Sequence, residues 1–317
     1  MDKDKDQGTT WTERLGKRAT FRVKLETYRR GSLRYKIYRT IAKSAFHRLI
    51  RICVKLVGLD AKGKENMRSI EVEENRVVID QLGQELDGLR ILQVTDLHLE
   101  IEDGIEKRIA SLLRSLSWDL AVVTGDFRLL NDGPIEPSMN AFKVIAEVLI
   151  ERGQIEGIPP LVVLGNHDDG AMVPCLEEMG MRVLLNECVS LQLGGEQLWI
   201  AGIDDSADFQ SYDLGKALRD VPESEPIVLL SHAPDCVREA AAFPVDLMLC
   251  GHTHGGQICL PNGFAPLTQS TAPRSCAKGS WSYNGIQGYT SRGASAGGVP
   301  YRFNCPPELT IHTLVRH

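Results

Sequence analysis

The chain has 317 residues, 43% of them hydrophobic and 25% charged, with a net charge of −6 at pH 7. This length suits one large domain or two small ones, and the composition is that of an ordinary soluble globular protein. The eight cysteines are scattered without a C-x-x-C pair, which argues against a disulfide scaffold and favours reduced core thiols.

The charge is divided unevenly along the chain. Residues 1–58 contain 16 Lys and Arg against 5 Asp and Glu, a net charge of +11, whereas the remainder contains 20 basic and 37 acidic residues, a net charge of −17. The chain starts without the apolar core and cleavage pattern of a secretory signal, and it contains no run of about 18 uncharged apolar residues that would predict a transmembrane helix. We predict a disordered tail (1–20), a basic helical arm with its linker (21–67) and an acidic main domain (68–317).

Residues 35–57 predict a basic amphipathic helix. Apolar or small residues recur there at steps of three and four, from Tyr35 to Val57, and most of the basic residues lie off this stripe. Such a helix can lie in a membrane interface with its cations toward anionic lipid, and we favour this interpretation. The alternatives are docking on the acidic domain, dimerisation and contact with nucleic acid, for which we expect no specific partner. The predicted location is cytoplasmic, peripheral on the inner face of the membrane.

The main domain begins after a predicted linker, Asp60–Met67. Short apolar strands follow, each ending in a polar cluster, and helical patterns over 104–117 and 138–152 separate some of them. A hairpin is expected over 182–204, with Gly194-Gly195 as its turn. Strands that alternate with helices predict an α/β layer architecture. The strands are expected at 89–98, 119–126, 160–169, 226–232 and 247–254.

The polar clusters fall at the carboxyl ends of these strands, where ligands bind in open α/β sheets. They contribute Asp96 and His98, Asp126, Asn166 and His167, His232, and finally His252 and His254. Imidazole, carboxylate and amide oxygen together suit borderline divalent metals, and the absence of thiolate argues against a structural zinc site. Because the set is too large for one ion, we predict two, bridged by Asp126. Manganese is favoured, with iron, zinc, cobalt and magnesium as alternatives.

Five motifs in this order resemble the calcineurin-like metallophosphoesterase superfamily. They are "DLH" (96–98), "GD" (125–126), "GNHD" (165–168), His232 and "GHTH" (251–254). The segment after "GHTH" also resembles one branch, typified by membrane-associated phosphoesterases and the chlamydial-type UDP-2,3-diacylglucosamine pyrophosphatase. The resemblance implies a four-layered αββα sandwich of two mixed sheets over residues 68–317, preceded here by the basic amphipathic helix.

The resemblance also implies roles for individual residues. One metal takes Asp96, His98, Asp126 and His254, and the other takes Asp126, Asn166, His232 and His252. His167 protonates the leaving oxygen or stabilises the transition state, with Asp168 holding its imidazole; the alternative for His167 is a further metal ligand. Arg128, Arg292 and Arg302 are candidates for binding a substrate phosphate. The alternative for Arg128 is a surface arginine, and the alternative for Arg292 and Arg302 is structural pairing.

The predicted function is dinuclear metal-dependent hydrolysis of a phosphoester or pyrophosphate. The favoured substrate is UDP-2,3-diacylglucosamine, cleaved to a lipid monophosphate and UMP. A general phosphodiesterase or phosphatase, or a non-catalytic metal-dependent scaffold, are the alternatives. The stretch 261–280 lacks periodicity and directly follows the last metal motif, so we expect a flap near the substrate.

Overall fold

A computed structural model describes residues 10–38, 44–152, 155 and 157–317. The helices are α1 (Trp11–Leu15), α2 (Ala19–Gly31), α3 (Leu33–Tyr38), α4 (Ser44–Leu56), α5 (Asp60–Arg68), α6 (Ile105–Leu113), α7 (Glu136–Glu151), α8 (Met172–Glu178), α9 (Leu214–Ala217) and α10 (Val237–Ala240). The strands are β1 (Glu71–Ile79), β2 (Arg90–Val94), β3 (Leu120–Val123), β4 (Leu161–Val162), β5 (Arg182–Val183), β6 (Glu187–Leu193), β7 (Glu196–Gly202), β8 (Ile227–Leu230), β9 (Leu247–Cys250), β10 (Gly279–Tyr283), β11 (Ile286–Thr290) and β12 (Glu308–Arg316).

The strands form two mixed sheets of six. The first has the order β1-β12-β2-β3-β4-β5, in which only the β12–β2 pair is antiparallel. The second has the order β10-β11-β9-β8-β7-β6, with antiparallel pairs at its two edges. Apolar side chains of both sheets, such as Val122 and Ile200, belong to one buried cluster, so the sheets pack face to face. The hairpin predicted over 182–204 is β6–β7, and its turn glycines have φ angles of 57° and 90°.

Helices cover both outer faces of this sandwich. Phe142 of α7 packs with Val94 of the first sheet, and Val237 of α10 packs with Leu229 of the second. The predicted four-layered αββα sandwich is therefore confirmed. Because both faces of each central strand are covered, a strand such as β3 is buried along its whole length, which explains why it reads as a continuous apolar run.

The N-terminal region differs from its prediction. Residues 10–20, within the predicted disordered tail, are helical, and residues 1–9 lie outside the described residues. Thr10 and Glu13 form a reciprocal cap on α1, and Leu15 is buried in the core beside the first sheet. A helix with a capping box and a buried apolar residue has the local signals of order.

The predicted linker Asp60–Met67 forms α5. Lys64 pairs with Asp60 one turn earlier at 2.8 Å, and Met67 is fully buried. The Tyr301 hydroxyl donates to the Asp60 carboxylate at 2.7 Å. The charged composition of this segment therefore reflects the exposed side of a short helix, and its buried side ties the arm to the main domain.

Part of the stripe predicted over 35–57 can be compared with the structure, since residues 39–43 lie outside the described residues. The described part contains α4, which carries exposed apolar side chains, among them Phe46, Leu49 and Leu56. Across the described residues, no helix combines the length and the apolar character required to cross a bilayer.

Candidate metal centre

Seven side chains predicted as metal ligands come together where five strands end. We call these seven the ligand cluster. They lie in the loops that follow β2 (Asp96, His98), β3 (Asp126), β4 (Asn166), β8 (His232) and β9 (His252, His254). Parallel strands bring their carboxyl ends to one edge, and the packing of the two sheets brings the two edges together.

The backbone is not extended at the Asp96/His98 and His252/His254 pairs of the ligand cluster. Each strand ends before its ligands, and the chain then turns sharply. Five ligands have left-handed φ angles, namely Asp96 (52°), His98 (39°), Asp126 (59°), His252 (70°) and His254 (51°). Such conformations cost about 1–3 kcal/mol each for a residue other than glycine, so they persist because the surrounding contacts hold them.

Those contacts are backbone hydrogen bonds between neighbouring loops. The Asp96 N–H donates to the Gly125 carbonyl at 3.0 Å, and the His98 N–H donates to the Asp126 carbonyl at 3.0 Å. Gly125 has a φ of 91°, and a Cβ there would lie 2.5 Å from the Gly165 nitrogen. The loops are packed too closely at this point for any side chain.

One half of the ligand cluster surrounds the space between β2 and β9. His98 Nε2 lies 3.1 Å from His254 Nε2 and 3.6 Å from Asp126 Oδ2. Asp96 Oδ1 lies 3.4 Å from His254 Nε2. These separations are close to the distances between neighbouring ligands around an ion whose metal–ligand bonds are about 2.0–2.2 Å long.

The other half shares Asp126 with the first. Asp126 Oδ2 lies 3.4 Å from His232 Nε2. Asn166 Oδ1 lies 3.1 Å from His232 Nε2 and 3.1 Å from His252 Nδ1. A single carboxylate oxygen therefore contacts both halves, as a bridging ligand must.

The protonation of three imidazoles follows from their outer nitrogens, which face backbone carbonyls. The contacts are His98 Nδ1 to Arg128 O at 2.6 Å, His232 Nδ1 to Thr124 O at 2.8 Å and His252 Nε2 to Gln269 O at 2.9 Å. Because a carbonyl only accepts, these nitrogens carry the protons, and the lone pairs of the opposite nitrogens point into the cluster. Lone pairs this close repel unless a cation lies between them, so the residues fit divalent metals.

The charges of the cluster favour a cation as well. Burial opposes ionisation of Asp126, but the neighbouring His232 and His167 hold its pKa well below the ordinary value. Burial also opposes a charge on His232, yet Asp126 raises the pKa of that imidazole well above its usual value. A site that attracts a proton so strongly also attracts a metal ion, which competes for the same lone pair.

His167 lies beside the cluster and lines its open side. Its ring is 5.0 Å from the His98 ring, and its Nδ1 lies 2.8 Å from the Leu129 carbonyl. Its backbone N–H donates to Asp126 Oδ1 at 2.9 Å. The Leu129 carbonyl therefore orients the imidazole.

Asp168 was expected to hold that imidazole, but its carboxylate joins loops instead. It accepts the backbone N–H groups of Asp126 at 2.8 Å, Phe127 at 2.9 Å and Gly165 at 2.8 Å. Burial, together with the charge of Asp126, raises the pKa of Asp168 to about 6. Its position makes it a brace between the loops after β3 and β4.

The three arginines predicted as phosphate ligands lie outside the cavity lining. Arg128 is buried and donates to the Gly133 carbonyl at 2.6 Å. Arg292 pairs with Glu73 at 2.6 Å and also with Glu308. Arg302 is buried and donates to backbone carbonyls, including that of His254 at 2.8 Å. For Arg292 and Arg302 the contacts support structural pairing, because their guanidinium groups bond protein acceptors. Arg128 is not a surface arginine, and although its Nη2 bonds the Gly133 carbonyl, its Nε has no partner among the described residues.

A cavity of about 800 Å³ opens onto the ligand cluster. Ligand-cluster residues and His167 form its floor, and apolar side chains form much of the rest. We call six of these side chains the apolar wall: Phe46, Leu49, Ile50 and Val54 of α4, and Pro266 and Leu267 of the loop after β9. The predicted flap over 261–280 thus contributes residues to the cavity. No Lys or Arg belongs to the lining among the described residues.

One polar cluster escaped the sequence prediction although it carries the same signal as the others. Asp204, Asp205 and Asp208 follow β7 in the stretch "GIDDSAD". Asp208 Oδ2 accepts the side-chain amide of Asn166 at 3.2 Å, and Asp204 pairs with Arg22 of α2 at 2.7 Å. This stretch contains no histidine, whereas four of the five predicted strand ends do.

A two-sheet sandwich with this ligand cluster at its strand ends defines a metal-dependent phosphoesterase. A family model described as calcineurin-like phosphoesterase matches residues 89–256, which is more than half of the chain. The chain belongs to the calcineurin-like phosphoesterase family, and the resemblance inferred from its motifs is confirmed. The family fold implies divalent metals, and the protein is a metal-dependent phosphoesterase.

Relatives of similar length carry related names. The chain is 28% identical over 253 residues to "Uncharacterized metallophosphoesterase YkuE" of Bacillus subtilis, covering 77% of this chain and 85% of that protein. It is 31% identical over 244 residues to "Phosphodiesterase YaeI" of Escherichia coli, covering 71% and 83%. It is 28% identical over 279 residues to "UDP-2,3-diacylglucosamine pyrophosphatase LpxG" of Chlamydia muridarum, covering 71% and 83%.

Proposed function

We propose that the protein hydrolyses the pyrophosphate of a nucleotide-linked lipid, with UDP-2,3-diacylglucosamine as the best candidate substrate and a lipid monophosphate and UMP as products. The observation that carries this proposal is the shared cavity, in which the apolar wall faces the ligand cluster. A phosphoryl group needs the polar floor, and an acyl chain needs the apolar wall. A relative named for this activity is 28% identical.

The ligand cluster would hold two divalent ions. Asp96, His98, Asp126 and His254 would bind one ion, and Asp126, Asn166, His232 and His252 the other. When bound, the ions supply Lewis acidity and clamp a phosphoryl group between them. Manganese is our first candidate, because the ligand set is oxygen and imidazole without thiolate.

His167 would act on the leaving oxygen. Its Nδ1–H donates to the Leu129 carbonyl, so Nε2 is the atom at which a proton would be held and then given to the product. The brace made by Asp168 keeps the loops of Asp126 and His167 in register. Asp168 would orient the loops and His167 would supply a proton. Both roles concern only the phosphoryl group, so they apply to any phosphoester substrate.

The apolar wall would select the lipid. Burying one methylene group contributes about 0.8 kcal/mol, so even part of an acyl chain adds substantially to binding. Among the residues that the structure describes, the lining contains no Lys or Arg, which are the residues that neutralise a nucleic-acid backbone. The composition of the cavity therefore favours an amphiphilic substrate over a polyanion.

Turnover of two substrates tests this proposal. The manganese-loaded protein should cleave UDP-2,3-diacylglucosamine, with UMP and the lipid monophosphate identified by mass spectrometry, and Asp126→Ala should cleave neither this lipid nor bis-p-nitrophenyl phosphate. Hydrolysis of the small diester alone would contradict the lipid substrate. That outcome would support the second candidate, a general phosphodiesterase, which the 31% identity to a protein of that name favours. Two bound metals without turnover of any phosphoester would support a scaffold.

We also propose that the arm lies on an anionic membrane surface at the cytoplasmic face. Exposed apolar side chains include Leu49 and Leu267, which line the cavity, and Leu56 of the same helix as Leu49, which is 81% exposed. Basic residues of α4, among them Arg48 and Arg51, lie on the same helix. Apolar insertion with electrostatic attraction is the mode of interfacial helices, and it would let a lipid enter the cavity from the bilayer.

Vesicle flotation tests the membrane surface. Removing residues 1–58 would remove α1 and α2 from the fold, so a point substitution is better. Leu56→Glu, which lies outside the cavity lining, should reduce flotation with phosphatidylglycerol vesicles while leaving turnover of bis-p-nitrophenyl phosphate unchanged. Equal flotation of the variant and the wild type, or flotation of neither, would contradict the proposal.

A further inference from the structure

We propose that Asp208 and Arg29 are positioning residues for the metal site formed by Asn166, His232 and His252. The N-terminal arm, through α2, would then be a working part of the metal centre. This inference rests on metal binding by the ligand cluster, as in the proposed function, and is independent of the substrate.

The argument begins with the Asn166 side chain, which has two chemically different ends. Only its oxygen can bind a metal, whereas its amide nitrogen can only donate hydrogen bonds. The Asp208 carboxylate only accepts, and its Oδ2 lies 3.2 Å from Asn166 Nδ2. This contact fixes the nitrogen on the outer side, and it leaves Oδ1 facing His232 Nε2 and His252 Nδ1 at 3.1 Å each.

Arg29 of α2 holds both partners of this contact. Its Nη2 donates to Asp208 Oδ2 at 2.6 Å, and its Nη1 donates to the Asn166 carbonyl at 2.8 Å. The guanidinium is buried, with its carbon 4.7 Å from the centre of the Phe209 ring. One planar group therefore sets the position of the Asn166 backbone and of the carboxylate that orients its amide.

The rest of α2 holds the same loop. Arg22 is fully buried and donates to the Asp168 carbonyl at 3.0 Å. The Glu26 carboxylate accepts the Gly170 N–H at 2.9 Å, and Arg30 pairs with Asp169. From Asn166 to Gly170 the loop after β4 is thus contacted by the arm at four of its five residues.

Outer contacts of this kind tune metal affinity. Loss of a group that orients a ligand typically weakens metal binding by 10- to 100-fold. Without Asp208 the Asn166 amide can rotate and present its nitrogen to the ion. We therefore expect a weakened second site and an unchanged first site, since Asp96, His98 and His254 have no contact with Asp208 among the described ones.

Manganese titration by calorimetry tests the inference. Asp208→Ala and Arg29→Gln should each weaken one of the two sites by about 10-fold, with the other site unchanged. Arg14→Ala is the matched control, because Arg14 anchors α1 to the main domain through Glu177 and Glu187 and its side-chain partners do not include Asn166 or Asp208. It should lower stability to urea and leave both affinities unchanged. Equal weakening by Arg14→Ala would overturn the inference.

A second variant, Asn166→Asp, tests whether Asp208 acts through the side-chain amide of Asn166. In Asn166→Asp both side-chain oxygens are equivalent, so no orienting group is needed. Adding Asp208→Ala to Asn166→Asp should not weaken manganese binding further, whereas a merely structural role of Asp208 would still weaken it. If Asp208→Ala binds both ions like the wild type, the inference is wrong and the proposed function stands. If the wild type binds no metal, the proposed function itself fails.

Discussion

The floor and the apolar wall of the cavity face the same space but are built in opposite ways. The floor consists of side chains that are mostly buried, on short loops held by backbone hydrogen bonds inside the sandwich. The wall comes from α4 and one loop, and its side chains are substantially exposed, such as Leu49 at 58% and Leu267 at 62%. If the proposed function holds, reaction and substrate choice reside in separate parts of the chain, so that each could change without the other.

The largest effect should come from the floor, where Asp126 contacts both halves of the ligand cluster. Asp126→Ala should reduce bound metal from about two ions per chain toward none, because the bridge is lost. Activity should fall below detection on every phosphoester. Metal analysis by mass spectrometry measures this, with the exposed Asp103→Ala as control. A variant that keeps two ions would contradict the bridging role.

Next in size is the loss of the proton donor. His167→Ala should lower kcat by about 10²- to 10⁴-fold on the lipid and on bis-p-nitrophenyl phosphate alike, while metal content stays near two. The reason is that the proposed function has His167 act on the leaving oxygen and places it outside the ligand set. Metal analysis of the purified variant separates the two roles. Loss of metal from His167→Ala would make this residue a ligand.

A substitution in the apolar wall should change the kinetics with the lipid substrate only. Leu49→Glu places a charge where an acyl chain would lie and removes about 1.5–3 kcal/mol of apolar binding, so KM for the lipid should rise at least 10-fold. Kinetics on bis-p-nitrophenyl phosphate should not change. Ile52→Glu on the same helix is the matched control, because Ile52 lies outside the cavity lining. If Leu49→Glu changed the kinetics with both substrates, the wall would not act on the lipid alone, and the proposed separation of roles between floor and wall would be wrong.

The smallest expected effect concerns His312, which lies in the sandwich and not in the ligand cluster. It is an effect of pH on the free energy of unfolding and not on the reaction. Burial lowers the pKa of His312 to about 3 from its ordinary 6.5, and its ring contacts Asn75 and Gln93. Below pH 6.5 His312 is protonated in the unfolded chain but stays neutral in the folded chain. The free energy of unfolding that His312 contributes above that pH is therefore lost as the pH falls. The loss by pH 5 is about 2 kcal/mol.

Urea unfolding at pH 7 and pH 5 measures this term. His312→Gln should lose about 2 kcal/mol less than the wild type between the two pH values. An identical loss of unfolding free energy in both proteins would contradict this role of His312 and would show that other groups cause the loss of stability at low pH.

The strands and the ligand cluster could be predicted from the residues because their signals are local, whereas the four-layered sandwich was implied by the family resemblance. Each apolar run followed by His, Asp or Asn marks a strand end, and parallel strand ends meet. The left-handed backbone of Asp96 and His252 could not be predicted, because it depends on contacts between loops far apart in sequence. For the same reason, the predicted disordered tail and linker do not match the helices that the structure shows there. A count of basic residues does not distinguish Arg29, which is buried against Asn166, from the exposed Arg48.

The most direct test of the account compares two substrates with the same pyrophosphate bond. The ratio of kcat/KM for UDP-2,3-diacylglucosamine to that for UDP-N-acetylglucosamine isolates the acyl chains, since the metal chemistry is shared. The account predicts a ratio of at least 100, equivalent to about 2.7 kcal/mol of apolar binding, which falls toward one in Leu49→Glu. A wild-type ratio near one would contradict the role assigned to the apolar wall.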